Sequence, residues 1–239
     1  TKLANDDAGR KIRASLESEG INYQYIEDET STERHTNLIN KNGERISIYT
    51  DYGKFGQDFD IIAYEKSIEE ADIILLDICE FVKHLFPILK KHKHKIWVDI
   101  HDFDGINPWH QEFLPFANAV FMSSDVLETE EKVKEVVRTI LRDKQFVVCT
   151  HGKKGAEYFS PDGKEIFQDI VEQFSPVDSN GAGDAFVSGY LYGAKNGFPA
   201  EICMKYATLV SGFTIASPFL YNKDLSVENL EQMYQQYFC

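Results

Sequence analysis

The sequence predicts an α/β protein: a three-layer α/β/α arrangement around a mostly parallel central sheet, with a small β lid. Three observations predict it. From Ser67 to Thr150 short apolar runs alternate with helix-period stretches, the pattern of strand–helix crossovers and therefore of parallel pairing. Two turn signals, Asn42-Gly43 and Pro161-Asp162-Gly163, sit between strand-like segments and predict hairpins. The C-terminal third reads as three helices.

In chain order, "NDDAGRKIRASLESEG" predicts a first helix. Asn5 or Asp6 caps it, Ala8, Ile12 and Leu16 form one face, and Gly20 ends it. Ile21 to Asp60 is strand-like. "ADIILLDI" is a buried strand, and "EFVKHLFPILKKHK" a helix broken or bent near Pro87. "KIWVDI", "NAVFMS" and "QFVVCT" are further strands. Before the last of them, "TEEKVKEVVRTILRD" places Val133, Val136, Val137, Ile140 and Leu141 at helical spacing. "GAEYFSPDGKEIFQ" is the second hairpin. Helices follow after Gly183, across "PAEICMKYATLVSGFTIA", and across "SVENLEQMYQQYF", where Ser226 and Asn229 approximate a capping box. With no repeat and no linker, the expectation is one domain over residues 1–239, with 22–60 as a partly β lid or hairpin region.

Composition narrows the function classes. A chain of 239 residues can bury a full core. Its net charge of −14 argues against non-specific nucleic-acid binding, which needs cations facing phosphates. A small phosphorylated ligand is compatible, because backbone N–H groups and a helix N-terminus can hold it. No apolar run approaches the ~20 residues of a membrane span and no signal-like segment opens the chain, so no membrane partner is expected. Cys79, Cys149, Cys203 and Cys239 form no CxxC pair; they read as buried reduced thiols of a cytoplasmic protein.

Neither GxxxxGK[ST] nor a GxGxxG after a strand occurs. Ligands of open parallel sheets bind beyond the C-terminal strand ends. That selects the loops after Asp77, Asp99, Met122 and Thr150, and the turn at 178–184. In "VDSNGAGDAF" the residues Gly181, Ala182 and Gly183 can form an anion-binding nest at a helix start. A carboxylate beside a bound anion would repel it, so Asp184 makes sense as a proton acceptor next to a transferring phosphoryl group. The competing reading is a tight turn with a first-turn acid that complements the helix dipole; from these residues alone the two are equal. "THGKKG", at the neighbouring strand end, can wrap phosphates, although a glycine-rich loop between strands is more often only a loop.

Other segments read as structural. "VDIHDFDGINPWHQ" gathers Asp99, His101, Asp102, Asp104 and His110 without metal-ligand spacing, and reads as a loop with Asp99 near the site's rim. "KKHKHKIW" complements a helix end. Tyr190, Tyr192, Tyr206 and Phe213 read as core.

Taken together, "VVCTHGKKGAEYF", a hairpin and "DSNGAGDAFVSGYLYG" resemble the ribokinase-like (PfkB) carbohydrate kinase family. Asp178, Gly181, Ala182, Gly183, Asp184, Ser188 and Gly189 match its D-T-x-G-A-G-D signature and small-residue helix, with Ser179 for threonine. The order of elements from Thr1 onward is similar too, "KLANDDAGRKIRASLESEGINYQYI" carrying Ala4-Asn5 where a glycine is usual. The resemblance implies the ribokinase-like fold and ATP-dependent phosphorylation of a hydroxymethyl group on a sugar or sugar-like small molecule.

By the same resemblance Asp184 is the general base, and the N–H groups of Gly181, Ala182 and Gly183 are the anion hole. Thr150, His151, Gly152, Lys153, Lys154 and Gly155, with Ser123, line the nucleotide. Asp178 and Asn180 match positions that hold a monovalent cation such as K+ in some members. Mg2+ accompanies ATP without an assigned side-chain ligand. Ala207 and Ser211 fall where the family walls its adenine pocket, and the lid can form a homodimer interface.

Two departures stand out. Ser123-Ser124-Asp125-Val126 replaces an N-x-x-E element, although ketohexokinases carry a serine-containing variant. The family's first strand and Gly-Gly sugar motif have no counterpart here, so a segment is expected to precede Thr1. The alternatives are a non-catalytic ligand-binding or regulatory member of the fold, and a nucleoside or hydroxymethylpyrimidine-type kinase.

Overall fold

The structure, a computed structural model, describes residues 2–39, 45–51 and 60–239. It divides into two compact units, Thr1–Glu69 with Cys79–Ile88, and Glu70–Ile78 with Leu89–Cys239.

In the first unit β1 (Lys2–Ala4) pairs in parallel with β2 (Ile26–Asp28), and α1 (Asp7–Ser18) connects them. Asp6 caps α1, accepting from Gly9 N at 2.8 Å. The same carboxylate accepts from Thr32 Oγ1 at 2.7 Å and pairs with Arg34 at 2.6 Å. The Gly9 N–H first, and then Thr32, hold the Asp6 carboxyl well below the usual carboxylate range. The inward position of α1 is Gly9 rather than the expected Ala8–Ile12–Leu16 face, and Ile12 is 39% exposed. A Cβ on Gly9 would lie 2.0 Å from Ala4 O, so the helix meets the β1 backbone at a distance only glycine permits.

β3 (Arg34–Ile39) and β4 (Arg45–Asp51) pair antiparallel, as the hairpin pattern predicts; the Asn42-Gly43 turn lies outside the described residues. α2 (Ile62–Glu70) precedes α3 (Glu80–Leu89) in the chain. Pro87 does not break α3. The chain passes into 3-10 turns over Lys90–Lys95 and leaves helical geometry at His92. Pro87 has no N–H to offer the carbonyl four residues before it, and α3 runs only two residues past it before the geometry changes.

The second unit is built on a six-stranded sheet of order β10-β9-β8-β7-β6-β5. β5 (Ile74–Asp77), β6 (Ile96–Asp99), β7 (Ala119–Ser123) and β8 (Phe146–Thr150) run parallel. β9 (Ala156–Phe159) and β10 (Glu165–Gln168) form the antiparallel hairpin expected around Pro161-Asp162-Gly163. Burial on both faces explains why these strands read as unbroken apolar runs: Val98, Val120, Val147 and Val148 are all inaccessible to solvent.

On one face, Trp97, Phe121 and Phe146 pack with Tyr190 of α6 (Ala182–Lys195) in edge-on and tilted ring contacts of 5.2–5.9 Å. Alternation along the strands turns Val98, Val120 and Val147 to the other face. α5 (Glu130–Leu141) packs on β8, is capped by Thr129, and buries Val133, Val136, Val137 and Ile140. The result is the three-layer α/β/α architecture.

α6 lies tightly against α7 (Ala200–Ile215), and α8 (Val227–Phe238) follows. Glu231 of α8 accepts from Tyr192 Oη at 2.8 Å and Tyr206 Oη at 2.9 Å. Tyr190 and Tyr206 are core as expected, whereas Tyr192 and Phe213 are half-buried. Ser226 caps α8 through Asn229 N, but the Asn229 amide bonds Asp224 O instead of returning to Ser226, so only half of a capping box forms.

Cys149 and Cys203 are buried free thiols, pushed up to about 12 and about 11 by burial. Cys79 is half-buried and Cys239 is exposed, which corrects the expectation that all four are buried; Cys239 lies beyond the last helical residue of α8. Among the described residues no helix is long and apolar enough to cross a membrane.

His110, in the short helix α4 (Pro108–Gln111), is buried against Phe103, and its Nδ1 has no hydrogen-bond partner among the described residues. Burial holds this imidazole below its ordinary range. The unfolded chain therefore binds the proton more readily, and stability is complete above about pH 6.5 and declines as pH falls through the folded value. Melts of wild type and His110→Phe at pH 7.5 and 5 are expected to show a smaller acid-side loss in the variant; equal losses would exclude this residue as the cause.

Candidate active site

The parallel strands bring their C-terminal ends into one row. Asp77 is the register partner of Asp99 across β5 and β6, and Ser123 that of Thr150 across β7 and β8. Beyond the ladder, Ser123 N donates to His101 O at 2.7 Å and Ser124 N to Thr150 O at 2.9 Å. The strand-end loops are thereby laced together.

The segment after β8 folds back on itself. His151 N donates to Gly155 O at 2.8 Å, and Gly152 to Lys154 form a 3-10 turn. Gly155 takes φ +95°, and a Cβ there would meet Gln168 O at 2.3 Å. Lys153 and Lys154 are exposed, and neither pairs with a carboxylate among the described residues.

His151, expected only to line the nucleotide, is also a hub whose side-chain partners the sequence did not show. Its Nδ1 lies 2.9 Å from Ser124 Oγ and its Nε2 3.0 Å from Glu157 Oε2. Glu157 is the second residue of β9 and pairs in register with Cys149, a pairing that no local pattern in the sequence shows. The trio is not an acyl-transfer triad. Ser124 N–H and Asp125 N–H, the donors an oxyanion would need, are spent on Thr150 O and Ser123 Oγ. It braces the Thr150–Gly155 loop against β7 and β9.

The Asp178–Asp184 turn is secured from α7. Val177 N and Asp178 N donate to Ile215 O at 2.7 and 3.1 Å, and Ser211 Oγ to Ala182 O at 3.0 Å. Asp178 Oδ1 accepts from Asn180 N at 2.9 Å, and Ala182 N donates to Ser179 O at 3.2 Å, the long bond of the turn. Gly181 takes φ +79° with a would-be Cβ 2.5 Å from Leu220 O, so no other residue fits. At Gly183 a Cβ would meet nothing within 4 Å. Asp184 is exposed in the first turn of α6. Ser211 thus holds the turn, while Ala207 is fully buried in the α6–sheet core and cannot wall an open pocket.

Asp184 lies close enough to the end of β6 for its charge to raise the pKa of both Asp99 and His101. His101 Nε2 is 2.8 Å from Asp77 Oδ1, and its Nδ1 is 3.8 Å from Asp99 Oδ1. That hydrogen bond to Asp77 first, with the neighbouring carboxylates, pushes the His101 pKa up to about 9. The same bond holds Asp77 below the usual carboxylate range, while burial pushes Asp99 above it.

The rest of "VDIHDFDGINPWHQ" is a loop as far as Asn107, with Asp104 Oδ1 accepting from Ile106 N and Asn107 N, but its end forms α4, which carries the buried His110. Among the described residues no group of three His, Cys, Asp or Glu is placed to hold a metal ion. The lysine-histidine run at 90–95 is structural, with Lys93 paired to Asp143 at 2.8 Å and Lys95 donating to Ala71 O.

Comparison with known proteins identifies the family. The model of the pfkB family carbohydrate kinases matches residues 1–224. The acarbose 7(IV)-phosphotransferase of Actinoplanes sp. is 27% identical over 223 residues, covering 90% of this chain and 73% of the relative. The ribokinase of Bacillus subtilis is 24% identical over 236 residues, covering 90% of this chain and 74% of the relative. In fold, a solved microbiome-derived acarbose kinase superposes with a TM-score of 0.82 at 24% identity, covering 98% of this chain and 79% of that one. The match spans both units and ends only after α7, and the chain belongs to the pfkB family of carbohydrate kinases, phosphotransferases that act on an alcohol group.

Proposed function

We propose that the protein transfers the γ-phosphoryl group of ATP to a hydroxymethyl group of a sugar or sugar-like molecule, with Asp184 as general base. ATP is the donor that membership of a kinase family implies. In this reading Asp184 takes the proton of the acceptor hydroxyl as its oxygen attacks the γ-phosphorus. The bond to the β–γ bridging oxygen breaks and ADP leaves. The N–H groups of Gly181 and Gly183, joined by that of Ala182 when it exchanges its long bond to Ser179 O for the ligand, stabilise charge on the transferring group. Ser123 and Thr150 to Gly155, with exposed Lys153 and Lys154, receive the nucleotide. Mg2+, when it accompanies ATP, would offset phosphate charge without an assigned side-chain ligand, and Asp178 and Asn180 would hold K+. Residues 22–60 serve as the lid, through which a homodimer can form.

The observation that carries this reading is the placement of an exposed carboxylate at the N-terminus of α6 beside open space at Gly183. The named relatives act on sugars or acarbose, which points to the acceptor class. The test is ADP release from Mg·ATP against a panel of monosaccharides, acarbose and nucleosides. Turnover with a saccharide supports the proposal, turnover with nucleosides alone reassigns the acceptor, and none with any acceptor overturns it.

Gly183→Ala provides a separate check on the nest. Beyond its own turn of α6 the new methyl meets no protein atom within 4 Å, so the melting temperature should not fall. Yet it enters the space assigned to the phosphoryl group, and kcat/KM should fall about 10²-fold, the usual effect of losing one oxyanion contact. A wild-type rate would place the phosphoryl group elsewhere.

A further inference from the structure

His101 is the feature that the proposed mechanism leaves unused. It stands at the end of β6 with φ +50°, among the described residues the single non-glycine in the left-handed region. Such a backbone is strained and persists where the surroundings impose it, commonly at functional positions. Here the imposing bonds are identifiable. His101 N donates to Asp99 Oδ1 at 2.9 Å, and His101 O accepts from Ser123 N at 2.7 Å. Together they turn the ring so that Nε2 meets Asp77 at 2.8 Å. That leaves Nδ1, whose nearest carboxylate oxygen, on Asp99, is 3.8 Å away and beyond hydrogen-bond range. The side chain is 45% exposed.

The charges around this ring are Asp77 on β5, Asp99 on β6 and Asp184 on α6, with buried His110 as the opposing weak influence. Three carboxyl groups at the place where a polyphosphate must approach would repel it. A cation among them removes part of that repulsion and supplies a donor. We propose that His101, protonated and clamped by Asp77, contacts the transferring phosphoryl group through Nδ1–H beside Asp184. This rests on the assignment of Asp184 to the transfer step. It adds a charged contact to the backbone nest, which carries no formal charge of its own.

Binding of the non-hydrolysable donor Mg·AMP-PNP tests this independently of the acceptor. With the ring ionising near 9, wild-type affinity should weaken about tenfold between pH 7 and pH 10, the loss expected when one charge-assisted contact goes. His101→Asn should bind about tenfold more weakly at pH 7 and show no further loss to pH 10. Asp77→Asn keeps the ring but removes its clamp, so the weakening should begin near pH 7 instead of 9. This variant retains the test if His101→Asn does not fold.

A His101→Asn protein with wild-type affinity and the wild-type pH dependence would overturn the proposal. So would an Asp77→Asn profile that does not move. Asp184→Asn separates the two assignments, because it should bind Mg·AMP-PNP at least as tightly as wild type while losing turnover. If it turns over normally, the base assignment fails whatever His101 does. If it is inactive and His101→Asn binds normally, only the His101 contact fails.

Discussion

Asp184→Asn is expected to fold like the wild type and to lose about 10²–10⁴ in kcat/KM, the contribution of a positioned general base. Asparagine preserves the size and the hydrogen-bonding oxygen but cannot accept the proton. Since Asp184 is exposed and its neighbours Ala185, Phe186 and Val187 carry the packing of that turn, the loss should appear in the rate and not in the melt. A first-turn acid also complements the helix dipole, so a stability change of about 0.3–1 kcal/mol belongs to that role. The two readings of Asp184 are thereby separated. A purely structural acid would shift the melting temperature and leave the rate alone, whereas a base does the reverse.

Gly189→Ala is expected to cost stability although its backbone is ordinary helix and alanine is the better helix former. A Cβ at this position would lie 2.6 Å from Tyr206 O and 2.7 Å from Ala207 Cα. Both are backbone atoms of α7 and cannot turn away, so α6 must move. Overpacking of this kind costs about 1–3 kcal/mol. Because Asp184 is a little more than one turn earlier on the same helix, activity should fall as well. Denaturant unfolding monitored by near-UV dichroism would show it, and a midpoint within error of wild type would mean that α6 and α7 can separate at no cost. The neighbouring Gly193, whose Cβ would lie 2.9 Å from Cys203 Cα, marks the same close seam one turn on.

This seam explains part of the D-T-x-G-A-G-D resemblance physically. Ser188 and Gly189 extend that signature and act differently within α6. Ser188 Oγ bonds Asp184 O at 2.8 Å, while Gly189 lets α7 approach. Gly181 is required by its left-handed backbone and by Leu220, while Gly183 is open on the side where a ligand would lie. The glycines of one motif thus divide into packing positions and a ligand position, a division that the letters do not show.

The strands from β2 onward, the long helices from α3 onward, the second hairpin and the turn at 178–184 were legible because each follows from local periodicity and turn chemistry; β1, α2 and the short α4 were not. So was the row of strand ends as the place to look. Misreadings arose where tertiary contact overrode local pattern. Ile12 has the spacing of a core residue, yet α1 turns Gly9 inward to meet Ala4. Ala207 has the small side chain of a pocket wall, yet the α6–α7 seam encloses it.

What the sequence by itself determined is the α/β layering and the Gly181–Asp184 turn at a helix start, both set by patterns contained within a few residues. Only the tertiary structure decided which side chains meet at the strand ends. Asp77 and His101 are 24 residues apart, and Ser124 and His151 are 27 apart. Parallel pairing sets each strand end beside the next across an intervening crossover, and no local pattern spans that distance.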